Sequence, residues 1–118
     1  MKPARTTLGE IAAMNLIRSG MGQVKAVTKA ASVVADLWEW ARAADELQHW
    51  PSQVEYAAYA KITDRQVRRR LDAFRAAFPG EQSPQRLAMW LHENHLSRLD
   101  RAAQVLSLAA PPDLTAAA

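Results

Sequence analysis

Thirteen residues, "ITDRQVRRRLDAF" (Ile62 to Phe74), set four arginines and two aspartates over a regular apolar spacing. A guanidinium is a planar fork of donors that matches phosphate oxygens and the O6/N7 edge of guanine. With Val67 at 0° and about 100° of turn per residue, Leu71, Phe74 and Phe78 fall within about 40° of it. Arg65 and Arg69 fall near 160° and 200°, and Arg68 near 100°, so they point away from that stripe. The chemistry on offer is polyanion recognition. Arg65 and Arg69, one turn apart, can reach adjacent bases, while Arg68, Arg70 and Arg75 stand to the sides, where phosphates run. Thr63 and the free N–H groups at the helix start can hold a phosphate, with Lys61 just ahead of them. Asp64 and Asp72 leave two readings open. They neutralise Arg68 by pairing at i, i+4, or Asp72 accepts a bond from cytosine N4. The competing reading of the whole run is a solvated face that serves only solubility.

Other reactive residue types lack the spacing their chemistry needs. "HENH" places His92 and His95 three apart, whereas two zinc-binding histidines around a catalytic glutamate need i, i+4. A surface histidine pair is the expectation. His49 beside Trp50 belongs to a link between helices. Ser52, Thr63 and Ser97 read as helix caps, since no histidine–acid partner would activate them as nucleophiles. No glycine-rich phosphate loop is present, and the absence of cysteine excludes disulfides and thiolate metal sites. No enzyme activity, cofactor, metal or small-molecule ligand is expected.

The elements that must carry the arginines are helical. The 118 residues suit one domain with a modest core, and much of the 49% hydrophobic content is alanine. The tryptophans read as core or interface residues. No apolar run is long enough for a membrane span, and Glu10 interrupts any signal-peptide core, so a soluble cytoplasmic protein is expected. Net charge is only +3, but it is uneven: Lys61, Arg65, Arg68, Arg69, Arg70 and Arg75 against Glu55, Asp64 and Asp72 give residues 52–78 a surplus of +3, while the flanks nearly balance.

Thr7 and Glu10 form a capping-box pattern ahead of a helix over about 8–18, which "SGMG" at 19–22 breaks. A long helix follows over about 23–48, with Val33, Val34, Leu37, Trp38, Trp40, Ala41 and Ala44 on an arc wide enough to need more than one neighbour. Pro51 ends that region. Ser52 caps a helix over about 53–60, and Thr63 with Gln66 boxes the start of one over 64–78, which "FPG" stops. Ser83 and Pro84 open a further helix carrying Leu87, Trp90 and Leu91. It runs on unbroken, or "SRLD" at 97–100 caps a last helix through Val105, Leu106 and Leu108. Residues 109–118 have nothing to bury and read as a disordered tail. No segment alternates with a period of two.

The stretch "QVEYAAYAKITDRQVRRRL" (Gln53 to Leu71) resembles the bacterial and phage helix-turn-helix DNA-binding motif. The pattern wants a small residue inside the first helix (Ala57), apolar residues closing it and following the turn (Ala60, Ile62), and another five residues on (Val67). Two helices packed steeply over a short turn need these, because a large side chain at Ala57 would push them apart. Lys61 stands where glycine is common, and Arg70 stands where an apolar residue is common, with Leu71 beside it to take the packing role. The resemblance covers residues 53–71 and names a motif, not a subfamily.

The resulting expectation is an all-α fold. It is a single domain over 1–108, in which the long helix crosses the helix-turn-helix pair at 52–78, with no wing. The resemblance implies sequence-specific double-stranded DNA binding through a recognition helix over 64–78, in a small transcriptional regulator. The alternative is a helical adaptor that binds a protein of the transcription machinery. A homodimer is expected through the first and long helices, since Val24, Val27, Val33, Trp40, Trp90, Leu91, Leu99 and Leu106 exceed what three helices cover.

Overall fold

The computed structural model describes residues 7–95 together with Ala110, Pro111, Asp113 and Leu114. These residues form five helices and no strand: α1 (Leu8–Arg18), α2 (Gln23–Leu47), α3 (Gln53–Ala60), α4 (Asp64–Ala77) and α5 (Gln85–His95). The fold is an all-α bundle, and no helix in it is long and apolar enough to cross a membrane. The segment at 97–108, with its choice between a continued and a newly capped helix, lies outside the described residues.

Local chemistry sets the helix ends. Thr7 accepts the N–H of Glu10 at 3.1 Å, which caps α1, although Glu10 makes no return bond among the described residues. At α3 and α4 both halves of the box form. Ser52 exchanges bonds with Glu55, and Thr63 with Gln66, at 2.9–3.1 Å. Each such cap contributes about 1 kcal/mol. Between α1 and α2 the chain reverses through Gly20, whose φ of 108° suits a residue without Cβ. Pro84, placed by the sequence in the first turn of α5, instead stands just ahead of it, its carbonyl accepting the N–H of Ala88 at 2.9 Å.

The α3–α4 joint takes three residues. Lys61 closes α3 in the left-handed conformation (φ 58°, ψ 46°), and its N–H, like that of Ile62, bonds to the carbonyl of Ala57. The strain expected of a lysine at a glycine-type position is therefore real, at about 1–2 kcal/mol for a residue with Cβ. Lys61→Gly should raise stability by about 1 kcal/mol, after allowance for glycine's looser unfolded state. A chemical-denaturation midpoint at or below that of the parent would contradict this.

Helix α2 is the axis of the bundle. Its Ala26, Ala30, Val33, Val34 and Leu37 are almost fully buried, and α2 packs most extensively on α1, then on α5, and also meets α4 and α3. Trp38 and Trp40 are buried on different sides of the helix, and Trp40 stacks on Tyr56 of α3 with centroids 4.3 Å apart. From α4, Val67, Phe74 and Phe78 enter the core as the stripe predicted, Ala77 joins them, and Leu71 is half-buried. Burial of side chains this size contributes roughly 1.5–3 kcal/mol each, far more than any exposed ion pair.

Two expectations need correction. Val33, Trp40 and Leu91, counted as surplus apolar surface, lie in the chain's own core: α1 and α5 add cover to α2 beyond that of three helices, and Trp40 stacks on Tyr56 of α3. Val24 and Val27 do remain exposed, together with Met14 and Ile17 of α1. The reading of 109–118 as a tail with nothing to bury fails at three residues. Pro111 is buried, Ala110 and Leu114 pack against the core, and Asp113 pairs with Arg86 at 3.1 Å.

Ala57 is 8% exposed and belongs to the core, as the packing of α3 on α4 requires. Ala57→Leu should destabilise the fold by about 1–3 kcal/mol through overpacking. Unaltered melting of this variant would mean that the site has room to spare.

Candidate nucleic-acid interface

The outer face of α4 carries the arginines where the wheel placed them. Arg65, Arg68 and Arg69 are exposed, opposite Val67 and Phe74. None of the three has an ion-pair partner among the described residues. Asp64 stands at the first position of α4, where a carboxylate complements the positive end of the helix. Asp72 turns toward Arg75, with Oδ1 3.9 Å from Nη1, so neither aspartate neutralises Arg68. An exposed pair at that distance is worth a few tenths of a kcal/mol, too little to hold Arg75 in place. Arg75 also donates from Nε to the carbonyl of Gln82 at 3.2 Å. Lys61 is exposed at the joint.

Thr63 is less available than its sequence position suggested. Its N–H and its hydroxyl are both engaged with Gln66. The open donors at this end are the N–H groups of Asp64 and Arg65, which head a helix with no earlier turn to accept them.

Arg70 departs most from expectation. Instead of flanking the outer face, it turns inward, its side chain 27% exposed. Its Nη1 donates to Glu39 Oε1 and, at 2.9 Å, to the hydroxyl of Tyr56, which itself donates to Glu39 Oε1 at 3.0 Å. Asp36 Oδ1 lies 3.6 Å from the same guanidinium nitrogen. One guanidinium thus joins α2 (Asp36, Glu39), α3 (Tyr56) and α4. Burial pulls against the Arg70 charge, but the Glu39 bond and the Asp36 carboxylate raise its pKa overall. Burial lifts the Tyr56 phenol well above its ordinary value, reinforced by the Glu39 charge. Burial also lifts Asp36 to about 6, although Arg70 opposes this. The sequence carries only a partial signal: Arg70 occupies an apolar-type position near the edge of the Val67 stripe, but nothing local says which helix covers it. Asp36 and Glu39, one turn apart on the long helix, are the acids that meet it.

The histidines serve joints. His92 Nε2 meets Asp45 Oδ1 at 2.8 Å and so ties α5 to α2. The side chain of His95 lies outside the described residues. His49 meets Glu55 at 2.8 Å. The Ser52 backbone bond and then His49 hold the Glu55 carboxyl below its usual range. Among the described residues, no group of three histidines or carboxylates could hold a metal ion. What this site can do is present, on one helical face, three guanidinium groups without an ion-pair partner among the described residues. No family model, no curated protein and no solved structure matches the chain.

Proposed function

We propose that the chain binds double-stranded DNA in a sequence-specific way. α3 and α4 act as a helix-turn-helix and α4 as the recognition helix, in a small cytoplasmic transcriptional regulator. The observation that supports this most is the set of Arg65, Arg68 and Arg69, exposed and without an ion-pair partner among the described residues although α4 has two aspartates of its own. Guanidinium groups without an internal partner among the described residues can meet phosphates and base edges without first breaking a pair. In this reading Arg65 and Arg69 meet base edges in the major groove, and Arg68, Arg75 and Lys61 meet phosphates. The test is a gel shift on random duplex DNA across a salt series. Three neutralised phosphates per chain give a slope of roughly −2.7 in log K against log salt. Binding that is absent or insensitive to salt overturns the reading and turns attention to a protein-binding adaptor.

Paired motifs on a two-fold axis give small regulators the affinity that one motif lacks. We infer a homodimer through α1 and the start of α2, where Met14, Ile17, Val24 and Val27 are exposed. Sedimentation equilibrium at micromolar concentration should return twice the 13.1 kDa chain mass. A monomeric mass, with no repeat in a DNA site selected from a random pool, would remove the dimer from this account.

A further inference from the structure

We propose that Arg70 is the positioning residue of the DNA-binding face. Its contacts with Glu39, Tyr56 and Asp36 set the angle at which α4 presents Arg65 and Arg69. The inference rests on the DNA-binding reading for its consequence, but its geometry stands alone. The Nη1 atom of Arg70 meets Glu39 Oε1, the Tyr56 hydroxyl at 2.9 Å and Asp36 Oδ1 at 3.6 Å. Tyr56 is 1% exposed and stacks on the Trp40 ring, with centroids 4.3 Å apart. The guanidinium of Arg70 lies 5.9 Å from the centre of the Tyr56 ring as well. Three helices therefore share one rigid, directional anchor.

Elsewhere α4 meets its neighbours mainly through the apolar Val67, Phe74, Ala77 and Phe78, apart from one hydrogen bond at its C-terminal end, from the Asn15 amide of α1 to the carbonyl of Ala77. Apolar contacts resist separation, but small side chains such as Ala77 let helices slide and tilt at low cost, because dispersion has little directional preference. Hydrogen bonds to charged groups depend steeply on angle and distance. A half-buried ionic cluster is a poor source of net stability, and its best-attested use is to select one arrangement among several. Arg70 lies one residue from Arg69, so its anchor fixes the helix at the point where the outer arginines project. Bidentate base contacts tolerate little misplacement, whereas phosphate contacts through long flexible arms tolerate more. Loss of the anchor should therefore erode specificity before general affinity.

The variants Tyr56→Phe and Arg70→Lys test this. The first removes one hydroxyl. The second keeps the charge and loses the fork. Arg70→Met, the obvious choice, would strand two carboxylates and endanger folding. The first readout is the ratio of affinities for a duplex selected from a random pool and for random duplex. An unfolded fraction lowers both affinities equally, so the ratio is blind to stability alone. The expected result is a fall in this ratio of roughly tenfold in both variants, with random-duplex affinity within about twofold of the parent. The second readout needs no DNA. The chain has no cysteine, so Ala35→Cys and Ala76→Cys introduce two labelling sites, and electron-spin distance measurements report the separation of α2 and α4. A broadened or shifted distance distribution in the two variants is expected. Unchanged distances overturn the positioning role whether or not the parent binds DNA. Altered distances with an unchanged affinity ratio overturn its link to recognition. A parent that binds no DNA counts against the DNA reading alone, and the distances then still decide the role of Arg70.

Discussion

The double variant Arg65→Ala/Arg69→Ala should lose about a hundredfold or more in affinity for a selected DNA site, since each bidentate base contact carries roughly 1–3 kcal/mol of discrimination. Its fold should survive. Both side chains are exposed, lie opposite the Val67–Phe74 stripe and hold no partner among the described residues, so their removal leaves no buried group unsatisfied. Alanine also favours a helix at least as well as arginine. Thermal melting within a few degrees of the parent is the accompanying expectation, and a large drop would mean that the outer face supports the fold. Affinity for the selected site equal to that of the parent would remove both arginines from the reading face.

The second large effect concerns Asp36, whose pKa in the folded chain is about 6 against an ordinary 3.8. The folded state takes up a proton at Asp36 more readily than the unfolded chain does. Lowering the pH through 6 therefore favours folding at this group until the unfolded chain is also protonated, near 3.8. Above 6 the ionised carboxylate is a liability. At 1.36 kcal/mol per unit, the full effect at pH 7 is about 3 kcal/mol. Asp36→Asn mimics the protonated form. It should stabilise the chain at pH 7 by about 2–3 kcal/mol, by less as pH falls below 6, and by almost nothing below pH 4. Glu39 still holds Arg70 in this variant. Denaturation midpoints at pH 7 and pH 4 decide the matter. A variant less stable at pH 7 would show that Arg70 needs both carboxylates.

Helix positions were legible in the sequence because the signals are local. Thr7, Ser52 and Thr63 capped the helices they were expected to cap, and α1, α3 and α4 begin where those residues dictate. The outward face of α4 was legible for the same reason, since rotation along one helix needs only the 3.6-residue period. The fate of Arg70 was not, because it depends on which helix lies alongside. A position about 60° from the centre of an apolar stripe is a flank in isolation and an interior site once α2 covers it. The surplus apolar surface was misjudged on the same ground: Val33, Trp40 and Leu91 looked free until the neighbouring helices were laid alongside, Tyr56 of α3 over Trp40 among them. Pro111 and Leu114 gave no periodic signal at all, and their burial comes from contacts distant in sequence.

The side-chain amide of Asn15 in α1 donates to the carbonyl of Ala77, the last residue of α4, at 2.8 Å. A C-terminal carbonyl has no partner within its own helix, so α1 completes the end of α4 from across the bundle. In hydrogen exchange, the last turn of α4 should then open together with α1 rather than fray by itself. The slowest amides of Phe74 and Phe78 would report the undocking of a helix some sixty residues earlier in the chain.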